Sequence, residues 1–160
     1  MVMGVSGSGK STLGLALAKR LGWPFQEGDD LHPAGNIAKM SAGVPLTDAD
    51  RAPWLAAVGA WIAGCLADGG GGVITCSALK AAYRRTLTEE RPVVRLVYLE
   101  GSKSLIAKRV TVRTDHFMPA SLVDSQFADL EPPGPEENAI LVSIDQPIDE
   151  QIETVVAALT

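Results

Sequence analysis

The chain has 160 residues, 46% of them apolar and 21% charged, with a net charge of −5. That length fits one domain with a full core and leaves little room for a second, so residues 1–160 are read as a single unit. A net negative charge argues against a nucleic-acid backbone or an anionic membrane surface as partner, and any positive field has to be local.

Met1-Val2-Met3 is apolar and runs straight into a glycine-rich loop. The first strand is therefore expected to be very short, and no secretory leader is expected. Gly4-Val5-Ser6-Gly7-Ser8-Gly9-Lys10-Ser11 matches G-x-x-x-x-G-K-[ST] at every fixed position. Glycines in such a loop allow conformations that turn successive N–H groups toward one anion. Gly4, Ser6, Gly7, Ser8 and Gly9 would form the cradle. Lys10 adds a point charge for the β- and γ-phosphates, Ser11 a hydroxyl for Mg²⁺, and Thr12 a contact to the α-phosphate. The helix that follows adds the positive end of its dipole. A phosphate loop alone does not separate a kinase from an NTPase or a switch protein.

Leu13, Leu17 and Leu21 recur every four residues, which predicts an amphipathic helix ending at Gly22. Phe25 and its neighbours predict the second strand. Glu27, Asp29 and Asp30 then fall at its carboxyl end, on the rim where α/β sheets bind ligands. Asp29 is the candidate to orient an attacking hydroxyl and accept its proton. Glu27 is a candidate to support Mg²⁺ through water. A solvated acidic loop is the alternative reading.

Trp54, Val58, Trp61, Ile62 and Cys65 keep helical spacing, with Pro53 expected in that helix's first turn and Asp48 as its cap. Arg51 near a helix start is not favoured by the dipole, so a nearby anion is expected to hold it. Gly69 to Gly72 predicts a turn before a strand at Val73–Cys76. Lys80 and Arg84 follow, four apart on one helix face, suited to gripping an acidic acceptor or to lying on a solvated surface.

Val93–Leu99 predicts the fourth strand. Lys108, Arg109, Arg113 and His116 lie beyond it, on a basic helix end leading into a loop, as in a lid over phosphates (roughly 109–120). Pro132 to Pro135 predicts a loop, Ala139–Ile144 a fifth strand, and Ile148 to Leu159 a closing helix. Nearly continuous apolar strands alternating with helices predict β-α units around a parallel sheet. Cys65 and Cys76 form no CxxC pair, which predicts reduced thiols and no zinc site. No apolar run reaches membrane length, so a cytoplasmic protein is expected.

Together these segments resemble gluconokinases of the small P-loop type, relatives of shikimate and adenylate kinases. The resemblance is carried by MGVSGSGKST, by EGDDLHP with Asn36 and Lys39-Met40, and by GVPLTDADRAPWL. CSALK-AAYR, then HFMP with SLVDSQFADLE, and IDQP at Ile144–Pro147 complete it. The resemblance implies a three-layer α/β P-loop kinase fold with a five-stranded parallel sheet, a short mobile lid and a homodimer. It implies ATP and Mg²⁺ as cofactors and phosphorylation of D-gluconate to 6-phosphogluconate.

By position, Lys10, Asp29 and Arg113 would be catalytic. His32, Arg51, Lys80, Arg84 and His116 would contact gluconate. Arg109 would stack on adenine, with Gln146 and Pro147 near its edge. The first strand is shorter than usual for the family, and Ala81 stands where a second basic residue is common. A kinase for another sugar acid or shikimate, and a regulatory nucleotide-binding module, are the alternatives.

Overall fold

A computed structural model describes residues 1–112 and 120–160. Five short strands, all parallel, form its centre: β1 Val2–Met3, β2 Phe25–Gln26, β3 Val73–Ile74, β4 Val97–Glu100 and β5 Ile140–Ser143. β4 lies between β1 and β5, and β2 pairs with β3. The two groups join at a single bridge between Val2 and Thr75, where Cys76 N–H donates to the Val2 carbonyl at 3.0 Å. The order across the layer is therefore β2-β3-β1-β4-β5. The seam is thin because β1 has only two residues before the chain turns at Gly4.

Alternate strand residues face opposite layers, as the period of two requires. Val2, Val73, Val97 and Leu99 face one core with Leu13, Leu17, Ile106 and Val155. Met3, Ile74, Leu96 and Tyr98 face the other with Trp54, Leu55, Val58 and Ile62. The first core is covered by α1 Lys10–Leu21, α5 Lys103–Val112, α6 Ala120–Asp129 and α7 Ile148–Leu159. The second is covered by α3 Asp48–Ala67 and α4 Ala81–Thr88. A shorter helix, α2 Ala34–Ser41, lies between the second strand and α3. Each fully buried aliphatic side chain contributes about 1.5–3 kcal/mol, so the two cores fix the layers.

α1 ends as expected, at Gly22 in the left-handed conformation with its N–H on the Ala18 carbonyl. α3 begins earlier than expected. Thr47, not Asp48, is the cap: its hydroxyl accepts from Asp50 N–H at 3.1 Å, and Asp50 Oδ2 accepts from Thr47 N–H at 2.9 Å. This reciprocal box starts the helix at Asp48 and leaves Pro53 inside it, in the second turn. The fourth strand also starts later, at Val97. Val93 is 65% exposed, and Val94 N–H closes a turn on the Arg91 carbonyl.

Cys65 and Cys76 are both free thiols. Cys76 is buried, and burial pushes its thiol up to about 12. No helix among the described residues is long and apolar enough to cross a membrane.

Candidate functional site

Because all five strands are parallel, the turns after β1, β2 and β3 share one rim. The phosphate loop leaves β1, the Asp29 turn leaves β2, and the Lys80 segment leaves β3. In the loop, Gly7 has φ +81°, and a Cβ there would lie 2.6 Å from Val110 Cγ2. Glycine is therefore required by both conformation and space. Gly9 precedes α1 with no side-chain cap, which leaves the helix's first N–H groups for an anion. Lys10 Nζ donates to the Val5 carbonyl at 3.1 Å, so its ammonium curls over the loop. Ser8 is 2% exposed, donates its N–H within the loop to the Val5 carbonyl, and borders the cavity beside the loop.

Beside the loop is a cavity of about 480 Å³ lined by Gly7, Gly9, Thr12, Lys108, Arg109 and Gln146, among others. Arg109 is held at its wall by a 2.6 Å hydrogen bond from Nη2 to the Ile144 carbonyl. Pro147 caps α7 at the same edge. The residues expected around a nucleotide base thus converge from α5 and from the turn after β5. Arg113 and His116, and most of the expected lid, lie outside the described residues.

Ser11 Oγ donates to Glu27 Oε2 at 2.5 Å, which ties the phosphate loop to the turn after β2. Thr75 Oγ1 donates to the other oxygen of Glu27. A hydroxyl and a carboxylate at the end of a phosphate loop are hard oxygen donors. They suit Mg²⁺, which takes few protein ligands and keeps several waters.

Gly28 follows, packed so closely on β3 that a Cβ would meet the Thr75 carbonyl oxygen at 1.9 Å. Its N–H donates to Thr75 Oγ1 at 3.0 Å, and its carbonyl accepts from Trp54 Nε1 at 2.8 Å. This anchored glycine starts the 3-10 turn Gly28–Leu31 and delivers an exposed Asp29 to the rim. His32 stands next to it, stacked on Trp54.

Arg51 and Lys80 also meet on this side. Lys80 Nζ donates to Asp48 Oδ1 at 3.2 Å, Arg51 Nη1 lies 3.8 Å from the same oxygen, and Tyr83 donates its hydroxyl to it. Arg51 Nη1 also donates to the Tyr83 hydroxyl at 3.2 Å. Those hydrogen bonds, Tyr83's first and Lys80's second, hold the Asp48 carboxyl below its usual range. The cluster is a carboxylate-binding arrangement in which the chain's own Asp48 sits among the donors. Tyr83 is the member that charge patterning overlooked.

Arg84 does not belong to this cluster. It is 1% exposed and points into the protein. Nε and Nη2 donate to the two oxygens of Glu137 at 2.5 and 2.8 Å, and Nη1 donates to the Ala78 and Leu79 carbonyls. A guanidinium so fully engaged cannot also grip an acceptor, so the expected gluconate contact is a structural brace. The bidentate contact holds the Glu137 carboxyl below its usual range. One further contact has no role assigned from the sequence: Gln126 of α6, inside the SLVDSQFADLE segment, reaches the phosphate loop at Ser6.

The family model for shikimate kinase matches residues 6–156. A gluconokinase from Gluconobacter oxydans (strain 621H) is 50% identical over 156 residues, covering 98% of this chain and 88% of that protein. The thermosensitive gluconokinase of Escherichia coli (strain K12) is 44% identical over 141 residues, covering 88% of this chain and 75% of that protein. Among solved structures, a gluconokinase from Sinorhizobium meliloti 1021 superposes with a TM-score of 0.88 at 50% identity. It covers 99% of this chain and 89% of that one. The fold is thus the three-layer P-loop kinase fold.

Proposed function

The chain belongs to the gluconokinase family, and we propose that it transfers the γ-phosphoryl group of ATP to D-gluconate, giving ADP and 6-phospho-D-gluconate. The observation that carries this reading is the shared rim. The phosphate loop, the Asp29 turn and the Arg51–Lys80–Tyr83 cluster lie on adjacent strand ends, with Ser11 hydrogen-bonded to Glu27 between donor and acceptor sides.

The loop N–H groups and the start of α1 bind the phosphates, and Lys10 swings from the Val5 carbonyl to the β- and γ-oxygens. Ser11 and Glu27 would hold Mg²⁺, which when bound neutralises charge on those phosphates. Arg109, Gln146 and Pro147 form the edge against the adenine. Arg51, Lys80 and Tyr83 take the gluconate carboxylate in place of Asp48. Asp29 orients the primary hydroxyl and accepts its proton as that oxygen bonds to the γ-phosphorus. The bond from the γ-phosphorus to the bridging oxygen breaks, and its electrons leave with ADP. Arg113 is assigned to the transferring phosphoryl and His116 to the acceptor from their sequence positions. Positioning and preorganised charge supply most of the rate.

We further assign the chain to one catalytic domain over residues 1–160, closed by a lid near 109–120, acting as a cytoplasmic homodimer. The reaction is tested by incubating the protein with Mg·ATP and gluconate and identifying the product by phosphorus and carbon NMR. Phosphate ester at C6 supports the reading; an ester elsewhere, or none, refutes it.

A further inference from the structure

His32 carries an imidazole constrained on two sides. Its ring stacks on the indole of Trp54, with centroids 4.3 Å apart and planes 13° from parallel. The indole is itself anchored, being 2% exposed and donating from Nε1 to the Gly28 carbonyl. The second constraint is Asn36, 5% exposed, on α2. Its Nδ2 lies 2.8 Å from the Asp50 carbonyl and 3.2 Å from His32 Nδ1.

A backbone carbonyl can only accept, so the Asn36 atom facing Asp50 has to be the amide nitrogen. That nitrogen carries two protons. One is donated to Asp50, and the other is directed at His32 Nδ1, which must then accept. A neutral imidazole that accepts at Nδ1 carries its proton on Nε2. Among the described residues Nε2 hydrogen-bonds no protein atom, and the ring is only half-buried.

We propose that Asn36 is a positioning residue that holds His32 as the neutral Nε2–H tautomer, so that His32 offers the acceptor substrate a hydrogen-bond donor rather than a base. The identity of that substrate, a polyhydroxy acid, rests on the reading above; the tautomer does not. A donor at this point recognises a hydroxyl or carboxylate oxygen, and an analogue lacking that oxygen would leave the N–H unpaired. Proton acceptance then falls to Asp29, in the same turn. The electrostatic setting agrees. Burial lowers the His32 pKa, Arg51 adds to the lowering, and Asp29 opposes it. The Asp50 carboxylate is engaged by Lys39 and Thr47 and does not compete for the ring.

The test is a two-bond proton–nitrogen NMR correlation on the full chain without ligands. The protein has two histidines, so the signals lost in His32→Gln assign the ring. The expected result is a protonated Nε2 and an unprotonated Nδ1, with the Nε2 signal shifting when gluconate is added. In Asn36→Asp the carboxylate accepts instead of donating, so the ring should move to the Nδ1–H form and leave Nε2 without its proton. The kcat/KM for gluconate should then fall about tenfold, chiefly through KM, with KM for ATP little changed.

An Nδ1–H ring in the wild-type protein would overturn the proposal whatever the variant does. So would an Nε2 signal indifferent to gluconate in a protein that phosphorylates it. Failure to phosphorylate any sugar acid would instead sink the functional reading, while the ligand-free spectrum would still decide the tautomer.

Discussion

Ser6 and Gln126, 120 residues apart in the chain, meet at two points. Ser6 N–H donates to Gln126 Oε1 at 2.5 Å, and Gln126 Nε2 donates to Ser6 Oγ at 3.3 Å. Five residues on, Glu131 N–H donates to the Leu79 carbonyl and Glu131 Oε2 accepts from Ala81 N–H. One segment therefore ties the phosphate loop to the stretch that carries Lys80. Removing the first tie with Gln126→Ala costs a hydrogen bond of about 1–1.5 kcal/mol. Steady-state kinetics should show KM for ATP rising about five- to tenfold, with KM for gluconate nearly unchanged. An unchanged KM for ATP would make the contact incidental.

Lys10 and Asp29 should each be needed for turnover rather than for folding. Lys10→Ala removes a preorganised charge at the transferring group and should lower kcat by about 10²–10³. Asp29→Ala removes the proton acceptor and should lower kcat by about 10²–10⁴. Both variants should keep the wild-type melting temperature within a few degrees. Near wild-type kcat in Asp29→Ala would move the base to another group.

The cluster around Asp48 makes a different kind of prediction. Arg51→Ala and Lys80→Ala each delete a charge-assisted donor worth about 1.5–3 kcal/mol. Each should raise KM for gluconate by about tenfold or more and leave KM for ATP alone. Tyr83→Phe should act the same way but more weakly, because it deletes a neutral hydroxyl. A rise in KM for ATP instead would place the cluster on the nucleotide side.

Arg84 is expected to matter for stability. Arg84→Ala takes the guanidinium away from the Glu137 carboxylate and from the Ala78 and Leu79 carbonyls and should cost about 3–5 kcal/mol in chemical denaturation. Glu137 adds a pH signature. Its carboxyl is depressed in the folded protein, so its contribution is complete above the ordinary value of 4.5 and fades as pH falls through the folded value. Stability measured from pH 6 downward should therefore drop more steeply in wild type than in Glu137→Gln.

How much of this is legible in the sequence depends on how local each signal is. The phosphate loop, α1 with its Gly22 stop and the closing helix follow from short-range rules, and the structure has them where expected. The start of α3 is not legible from single residues, because the capping box needs Thr47 and Asp50 together, while Pro53 and Asp48 taken singly suggest other roles. The burial of Arg84 is not legible either, because basic spacing on a helix does not say which way the side chain points. Its partner Glu137 is 53 residues away. The role of Gln126 is hidden for the same reason: a neutral amide has no pattern, and its contact is made only by folding.

The most direct measurement is a coupled ADP-release assay with Mg·ATP and a panel of acceptors: gluconate, other sugar acids, shikimate and none. We expect acceptor-dependent turnover with gluconate, at a kcat/KM well above that for every other acid. Turnover with shikimate or another acid in preference to gluconate, or ADP release at the same rate with no acceptor, would contradict the assignment.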